Sequence, residues 1–229
     1  SSWRYINIAN MYNNSYNYDR TKESHLSKNS EWGAVAYLTQ SAYGRNGHEI
    51  DMNNSSTFIT GNGAGQPCGD TSIEAPGVTN AYHTALGAKA STTGNIYGVY
   101  DMSGGSWEYV AAFNKDYTGN CFTGSDFLSA SGTHFAATNG TSDAYKTAYS
   151  NNTETRYGEL AYRVSKVGDG VKEVYTGESN VGWHRDYAVF VYSSDPFFPR
   201  GGYYNDGSGL AGVFYSSSVS GTYHVYYSF

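Results

Sequence analysis

The sequence predicts an α+β domain with long irregular insertions. One stretch carries apolar residues at helical spacing, and several short runs are rich in β-branched and aromatic residues. The segments between them are dominated by Gly, Ser, Thr and Asn. The chain has 229 residues, of which 28 are Gly, 24 are Tyr and only 4 are Pro. Aromatics make up 17% and charged residues 15%, a balance opposite to that of disordered chains, which lack the rings to build a core. This length suits one compact domain, residues 1–229, and no Pro-rich or charged linker divides it.

The helix is expected within Ser24–Tyr43, where Leu26, Trp32, Val35, Ala36 and Ala42 recur near a 3.6-residue period. Ser27 or Ser30 can cap its start, Glu31 suits the positive end of the dipole, and Gly44 fits a C-cap. Residues 45–80 read as loop around Gly61-Asn62-Gly63-Ala64-Gly65-Gln66-Pro67. An apolar block, Ile96–Met102, leads into a strand at Trp107–Ala112. Residues 114–180 are expected to be a surface insertion, with Leu160–Val164 a short element inside it. Further strands are expected at Tyr187–Tyr192, Val213–Tyr215 and Val225–Tyr227, with a strand end and tight turn at Phe197–Gly202. Trp32, Val35, Met102, Trp107, Val110, Phe190 and Phe214 are expected to bury together, and Trp183 is assigned to the core as well.

The net charge is −6 and Lys and Arg do not cluster, which disfavours nucleic acid as a partner. No run of 18 apolar residues and no leader is visible, so this stretch is not expected to sit in a membrane. The abrupt start at Ser1-Ser2-Trp3-Arg4-Tyr5 suits a piece of a longer protein tethered by a preceding segment. Two cysteines, Cys68 and Cys121, fit no zinc spacing; a disulfide between them and two separate thiols are both open.

Catalytic patterns are weak. His25, His48, His83, His134, His184 and His224 are scattered, with no i, i+4 pair on a helix, no Gly-x-Ser-x-Gly elbow and no phosphate-binding loop. His184 and Asp186 read as a surface or hydrogen-bonded pair.

Three segments carry a resemblance. Ser30-Glu31-Trp32-Gly33-Ala34-Val35-Ala36-Tyr37 comes first, then Asn95-Ile96-Tyr97-Gly98-Val99-Tyr100-Asp101-Met102-Ser103-Gly104-Gly105-Ser106-Trp107-Glu108, then Arg200-Gly201-Gly202-Tyr203. In order and spacing they resemble the formylglycine-generating-enzyme (sulfatase-modifying factor) branch of the C-type-lectin fold. They are also similar to the variable proteins of diversity-generating retroelements, some of them pilin-like surface proteins. The resemblance implies a C-type-lectin fold. For the variable proteins it implies a scaffold whose stretch after Arg-Gly-Gly, here 198–229, changes at adenine-bearing codons. The enzymes of this branch use a cysteine pair after the Arg-Gly-Gly step. This chain has no Cys beyond Cys121, so the resemblance does not carry their copper or thiol chemistry. Relatives of this fold often hold calcium near the Trp-Glu step. Asn95, Asp101 and Glu108 are the weak candidate ligands, but Gly105 stands where an Asn oxygen is usual, and a hard cation wants six or more oxygens. The expectation is therefore no cofactor, with Asp101 and Glu108 serving local turns. Relatives also continue past the position of Phe229 with an Arg-containing closing strand.

Arg200–Phe229 contains six Tyr, six Ser and six Gly, one Asp, one His, and no Lys or Glu. Tyr gives large, stiff, amphipathic contact area while Ser and Gly adapt around it, the chemistry of antibody loops. Gly201, Gly202, Gly207, Gly212, Val213 and Phe214 read as turns and core. Tyr203, Tyr204, Asn205, Asp206, Leu210, Tyr215, Ser216, Ser218, Thr222, Tyr223, His224 and Tyr226 read as ligand-contact positions. The function expected is a non-enzymatic ligand-binding display module at the cell surface, such as a pilin-tip adhesin, with an unknown protein or cell-surface ligand as partner. A phage receptor-binding module on the virion, a degenerate enzyme of the same branch and a purely structural subunit are the alternatives.

Overall fold

The computed structural model describes residues 6–50, 84–85, 87–116, 144–151, 156, 164–171, 174, 181–203, 211–221 and 227–229. Among them are two α-helices, α1 (Ile8–Tyr18) and α2 (Asn29–Gln40), and four strands: β1 (Trp107–Asn114), β2 (Thr147–Tyr149), β3 (Phe197–Arg200) and β4 (Tyr227–Ser228). The architecture is mixed α and β, as the sequence predicts at that coarse level.

β1 is the hub of the sheet. β3 runs antiparallel to it, with Glu108 opposite Arg200 and Tyr109 opposite Pro199. The register then slips by a bulge before Phe113 meets Phe197. β2 pairs in parallel with Ala112–Asn114, and β4 pairs in parallel with Trp107 and Glu108. Side chains alternate across a strand, so β1 serves two cores. Val110 and Ala112 join Trp32 and Ala36 of α2, Met102, Tyr149, Phe190, Phe198, Val213 and Phe214 on one face. Tyr109, Ala111 and Phe113 join Ile8, Met11 and Tyr12 of α1, Leu26 and Phe197 on the other.

α2 begins later and ends sooner than its periodicity suggests. Its N-cap is Lys28, and the Glu31 carboxylate accepts from the Lys28 backbone N–H at 2.8 Å, so Ser27 and Ser30 are not the caps. It ends at Gln40 with Ser41 as C-cap, and Gly44 belongs to the turn that follows. The helix lies very close to the 168–170 loop: a Cβ on Gly33 would collide with the Gly168 carbonyl oxygen and the Asp169 backbone.

Several expectations need correction. Tyr187–Tyr192 is not a strand. Ala188–Val191 is fully buried, but only isolated bridges form there, Val181 with Tyr187 and Ala188 with Ser216. Its backbone donors find scattered partners instead: Val189 N–H on Ser216 O and Phe190 N–H on Arg156 O. Val213–Tyr215 is a buried turn segment; of the last expected strand, Tyr227 lies in β4, while Val225 and Tyr226 lie outside the described residues. The described parts of 114–180 are not a surface appendage, because they supply β2 and the core residues Tyr149, Val171 and Val174. Trp107 packs on the α1 side of the sheet, against Tyr109's neighbour Tyr227, and not with the α2 core. Trp183 is 44% exposed. Cys68, Cys121 and most of Leu160–Val164 lie outside the described residues. No helix among the described residues is long and apolar enough to cross a membrane.

Candidate ligand-binding site

The three resemblance segments meet in space. The Gly104 N–H donates to the Gly201 carbonyl at 2.9 Å, joining the second segment to the third. Gly201 has φ +80°, and a Cβ there would touch both Met102 O and the Trp32 ring at 3.4 Å, so glycine serves both the turn and the close approach. The Trp32 indole N–H donates to Val213 O at 2.8 Å, which ties the first segment to the chain after the Arg-Gly-Gly step.

Arg200 itself is fully buried on the α2 side. Its guanidinium lies 5.8 Å from the Trp32 ring and donates to Gly170 O at 3.3 Å. Burial lowers its pKa to about 10, while the charges of Asp169, Tyr149 and Asp186 push the other way. Around it runs a buried polar chain. The Asn29 amide donates to the Tyr149 hydroxyl at 3.0 Å, which donates to Asp169 Oδ2 at 2.5 Å. Asp169 Oδ2 also accepts from the Lys166 N–H at 2.9 Å. Burial and the Asp169 charge hold the Tyr149 phenol protonated, far above its ordinary range. Arg200 is thus a structural centre of the scaffold and not a solvent-facing group.

The expected contact residues divide sharply. Tyr215, Ser216 and Ser218 are buried, at 5%, 0% and 8% exposure, and so do not belong to an exposed contact face. The reason is register: Ser216 bridges Arg200 and Ala188, and the Ser217 N–H donates to Pro199 O at 3.1 Å, so this segment lies against β3 as part of the packed scaffold. Tyr203 is half-buried, its ring 4.4 Å from that of Trp107. Tyr204, Asn205, Asp206, Leu210, Thr222, Tyr223, His224 and Tyr226 lie outside the described residues.

The ends of the two segments that hold those residues are well placed. Tyr203 precedes 204–210 and Tyr227 follows 222–226; their rings lie 4.4 and 5.4 Å from the same Trp107 ring. Tyr109 continues the column, 4.9 Å from Tyr227. At the other ends, the Gly212 N–H donates to Gly201 O at 3.3 Å, and Gly221 O accepts from the Ile8 N–H at 3.2 Å. Both segments are therefore fastened at each end to the sheet or to the α1 core. The sequence placed Trp107 in the core with Trp32 and Phe214, whereas it is half-buried on the α1 side; its role as a shared anchor depends on β1 and β4 pairing in parallel across a separation of more than a hundred residues.

The calcium candidates do not assemble into a cage. Asn95 Oδ1 is engaged in its own turn, accepting from the Tyr97 N–H at 2.9 Å and the Thr93 hydroxyl at 3.0 Å. Asp101, in the left-handed region at φ 62°, is near enough to Glu108 for their charges to interact. Glu108 is half-buried. Burial first, and Asp101 second, push its pKa well above the usual carboxylate range. Two carboxylates fall short of the oxygens a hard cation needs, and no group of three His, Cys, Asp or Glu among the described residues could hold a metal.

His184 does not pair with Asp186. Its ring bonds Gln40 and approaches Glu49, while Asp186 Oδ2 accepts from the Phe214 N–H at 3.0 Å. Glu49 and Gln40 were not singled out by the sequence, and only the fold brings them to residue 184.

No protein-family model, no curated protein and no solved structure matches the chain.

Proposed function

We propose that this chain is a non-enzymatic ligand-binding display module of C-type-lectin type, akin to the variable proteins of diversity-generating retroelements, and that it works at a cell surface. The observation that carries the reading is the Trp107 anchor. Two segments with antibody-loop composition, Tyr204-Asn205-Asp206-Gly207-Ser208-Gly209-Leu210 and Thr222-Tyr223-His224-Val225-Tyr226, start or end on one aromatic column. A rigid frame with fastened ends can change what lies between without refolding. The contact set is narrower than the sequence suggests: Tyr203, Tyr204, Asn205, Asp206 and Leu210 with Thr222, Tyr223, His224 and Tyr226. The buried Tyr215, Ser216 and Ser218 are assigned to the scaffold. An unknown protein or cell-surface ligand is the partner.

The test is the sequence of this locus in many members of one population. Substitutions should concentrate at adenine-bearing codons within 203–210 and 222–226 and spare 213–219. An even spread along the chain, or variation peaking at the buried 213–219 stretch, refutes the proposal.

A further inference from the structure

The turn Trp183–Arg185 is held in an unusual way. His184 has φ 57° and Arg185 φ 68°, two successive non-glycine residues in the left-handed region. Such backbone persists only where the surroundings over-determine it. Inside the turn, the Arg185 N–H donates to Gly182 O at 3.2 Å and the Asp186 N–H to Trp183 O at 3.1 Å. Outside it, the His184 ring provides the fastening. Nε2 lies 3.0 Å from Gln40 Oε1 at the end of α2, and Nδ1 lies 3.6 Å from Glu49 Oε2. The ring face lies parallel to Phe214 with centroids 6.4 Å apart, and Trp183 sets its edge on Phe214 and Tyr37.

Proton counting shows what this contact needs. With the Gln40 amide oxygen facing the ring at 3.0 Å, Nε2 carries the shared hydrogen, which is the tautomer the NMR test below reads. A neutral ring then turns a bare Nδ1 toward the Glu49 carboxyl. Two lone pairs facing one another repel, so the contact is attractive only with a proton between them, on the carboxyl oxygen or on Nδ1. Behind Glu49 stands Asp186, 1% exposed, whose charge interacts with it.

We propose that His184, Glu49 and Asp186 form a proton-operated clasp: one proton between Glu49 and His184 holds the Trp183–Arg185 turn on the end of α2, and its loss above neutral pH releases the turn. On release, the proton leaves to solvent, Glu49 becomes a carboxylate beside that of Asp186, and Nδ1 loses its partner. The electrostatics agree in direction. Burial raises Glu49 to about 7, and burial followed by the Glu49 charge pushes Asp186 up. Burial lowers His184, so at neutral pH the ring is not the group that carries the extra charge. Among the described residues the other groups around the clasp are few. Tyr37 lies on α2, and Arg45 donates to the Glu49 carbonyl at 3.2 Å. His48 and Arg185 are exposed, and Arg200 reaches Asp186 through its charge. A carboxyl whose folded pKa is raised makes the folded form bind more protons, so the clasp weakens as pH rises from the usual carboxylate range through about 7.

The test is amide hydrogen exchange and histidine-ring NMR on the whole chain. One proton changes an opening equilibrium by at most about tenfold per pH unit. The Glu49 side chain is 35% exposed and screened accordingly. Protection at Asp186 and Phe214, corrected for intrinsic rates, should therefore fall by about tenfold in all from pH 6 to 8, with Val110 unchanged. Glu49→Gln should make the same two amides insensitive over that range. Should that variant not fold, His184→Phe serves, since it removes the ring nitrogen that shares the proton and leaves the Glu49 titration with no link to the turn. The His184 ring should carry its hydrogen on Nε2. A pH response equal in wild type and both variants, no response in wild type, or a ring with its hydrogen on Nδ1 at every pH overturns the clasp.

Discussion

Removal of the Arg200 charge should be among the most damaging single changes in the chain, and a second change should reverse much of the damage. Arg200 is fully buried with Asp169 and Asp186, at 0% and 1% exposure, as its neighbouring acids. Taking one member from a buried ionic set leaves the others uncompensated, at about 3–5 kcal/mol. Arg200→Met keeps most of the apolar stem but leaves the Asp169 carboxylate without its cation, so a loss near that range is expected. Asp169→Asn alone keeps an oxygen for the Tyr149 hydroxyl and the Lys166 N–H, and should cost about 1–3 kcal/mol. The double variant removes a cation and an anion together. Its loss should be smaller than the sum of the singles by about 2 kcal/mol. Urea denaturation at pH 7 measures all four species, and equal slopes confirm that the unfolded states are comparable. Additivity within about 0.5 kcal/mol would mean that Arg200 does not answer Asp169, and the account of the buried chain would fall.

Two further changes probe other parts of the frame. Gly33→Ala places a Cβ against backbone of the 168–170 loop, so α2 must move off it; a loss of about 3 kcal/mol in a denaturation series is expected, and a neutral result would show that the helix does not lie so close. His25 bonds the Glu23 carbonyl at 2.7 Å and the Glu31 carboxylate at 3.0 Å; burial lowers its pKa, but these partners outweigh it and the net shift is upward. The small stabilisation this gives is present below the ordinary histidine pKa and disappears as pH rises through the raised one, and Glu31→Gln should move the His25 NMR titration downward.

The legible elements were those whose local signal and tertiary role agree. β1 shows β-branched and aromatic residues in a run long enough to stand out, and α2 has both periodicity and an acidic first turn. α1 was missed because IANMYNNSYNY is poor in helix formers; its packing residues Ile8, Met11 and Tyr12 and the Asn7 cap, which accepts from the Asn10 N–H at 2.9 Å, were the available signs. β2 is three residues long and draws its stability from Ala112–Asn114, so no local pattern announces it. Tyr187–Tyr192 fails in the opposite sense: a continuous apolar run records burial, and burial alone does not make a ladder. Of the contact residues, Ser216 and Ser218 illustrate what composition cannot resolve. A serine facing a ligand and a serine folded against a strand look alike in sequence, and only the bridge to Arg200 separates them.

Alternation along β1 also separates the two functional proposals. Trp107 and Tyr109 face the α1 side, where Tyr203 and Tyr227 gather, whereas Glu108, Val110 and Ala112 face the side of α2 and Phe214, on which the His184 clasp rests. Opening of the clasp frees Trp183 without touching a residue of the Trp107 column. A pH response confined to residues around 183–186 and 214 is therefore compatible with a display face that is insensitive to pH. If instead ligand capture through 203–210 and 222–226 followed the protonation of Glu49, the coupling would have to cross the sheet through β1 itself.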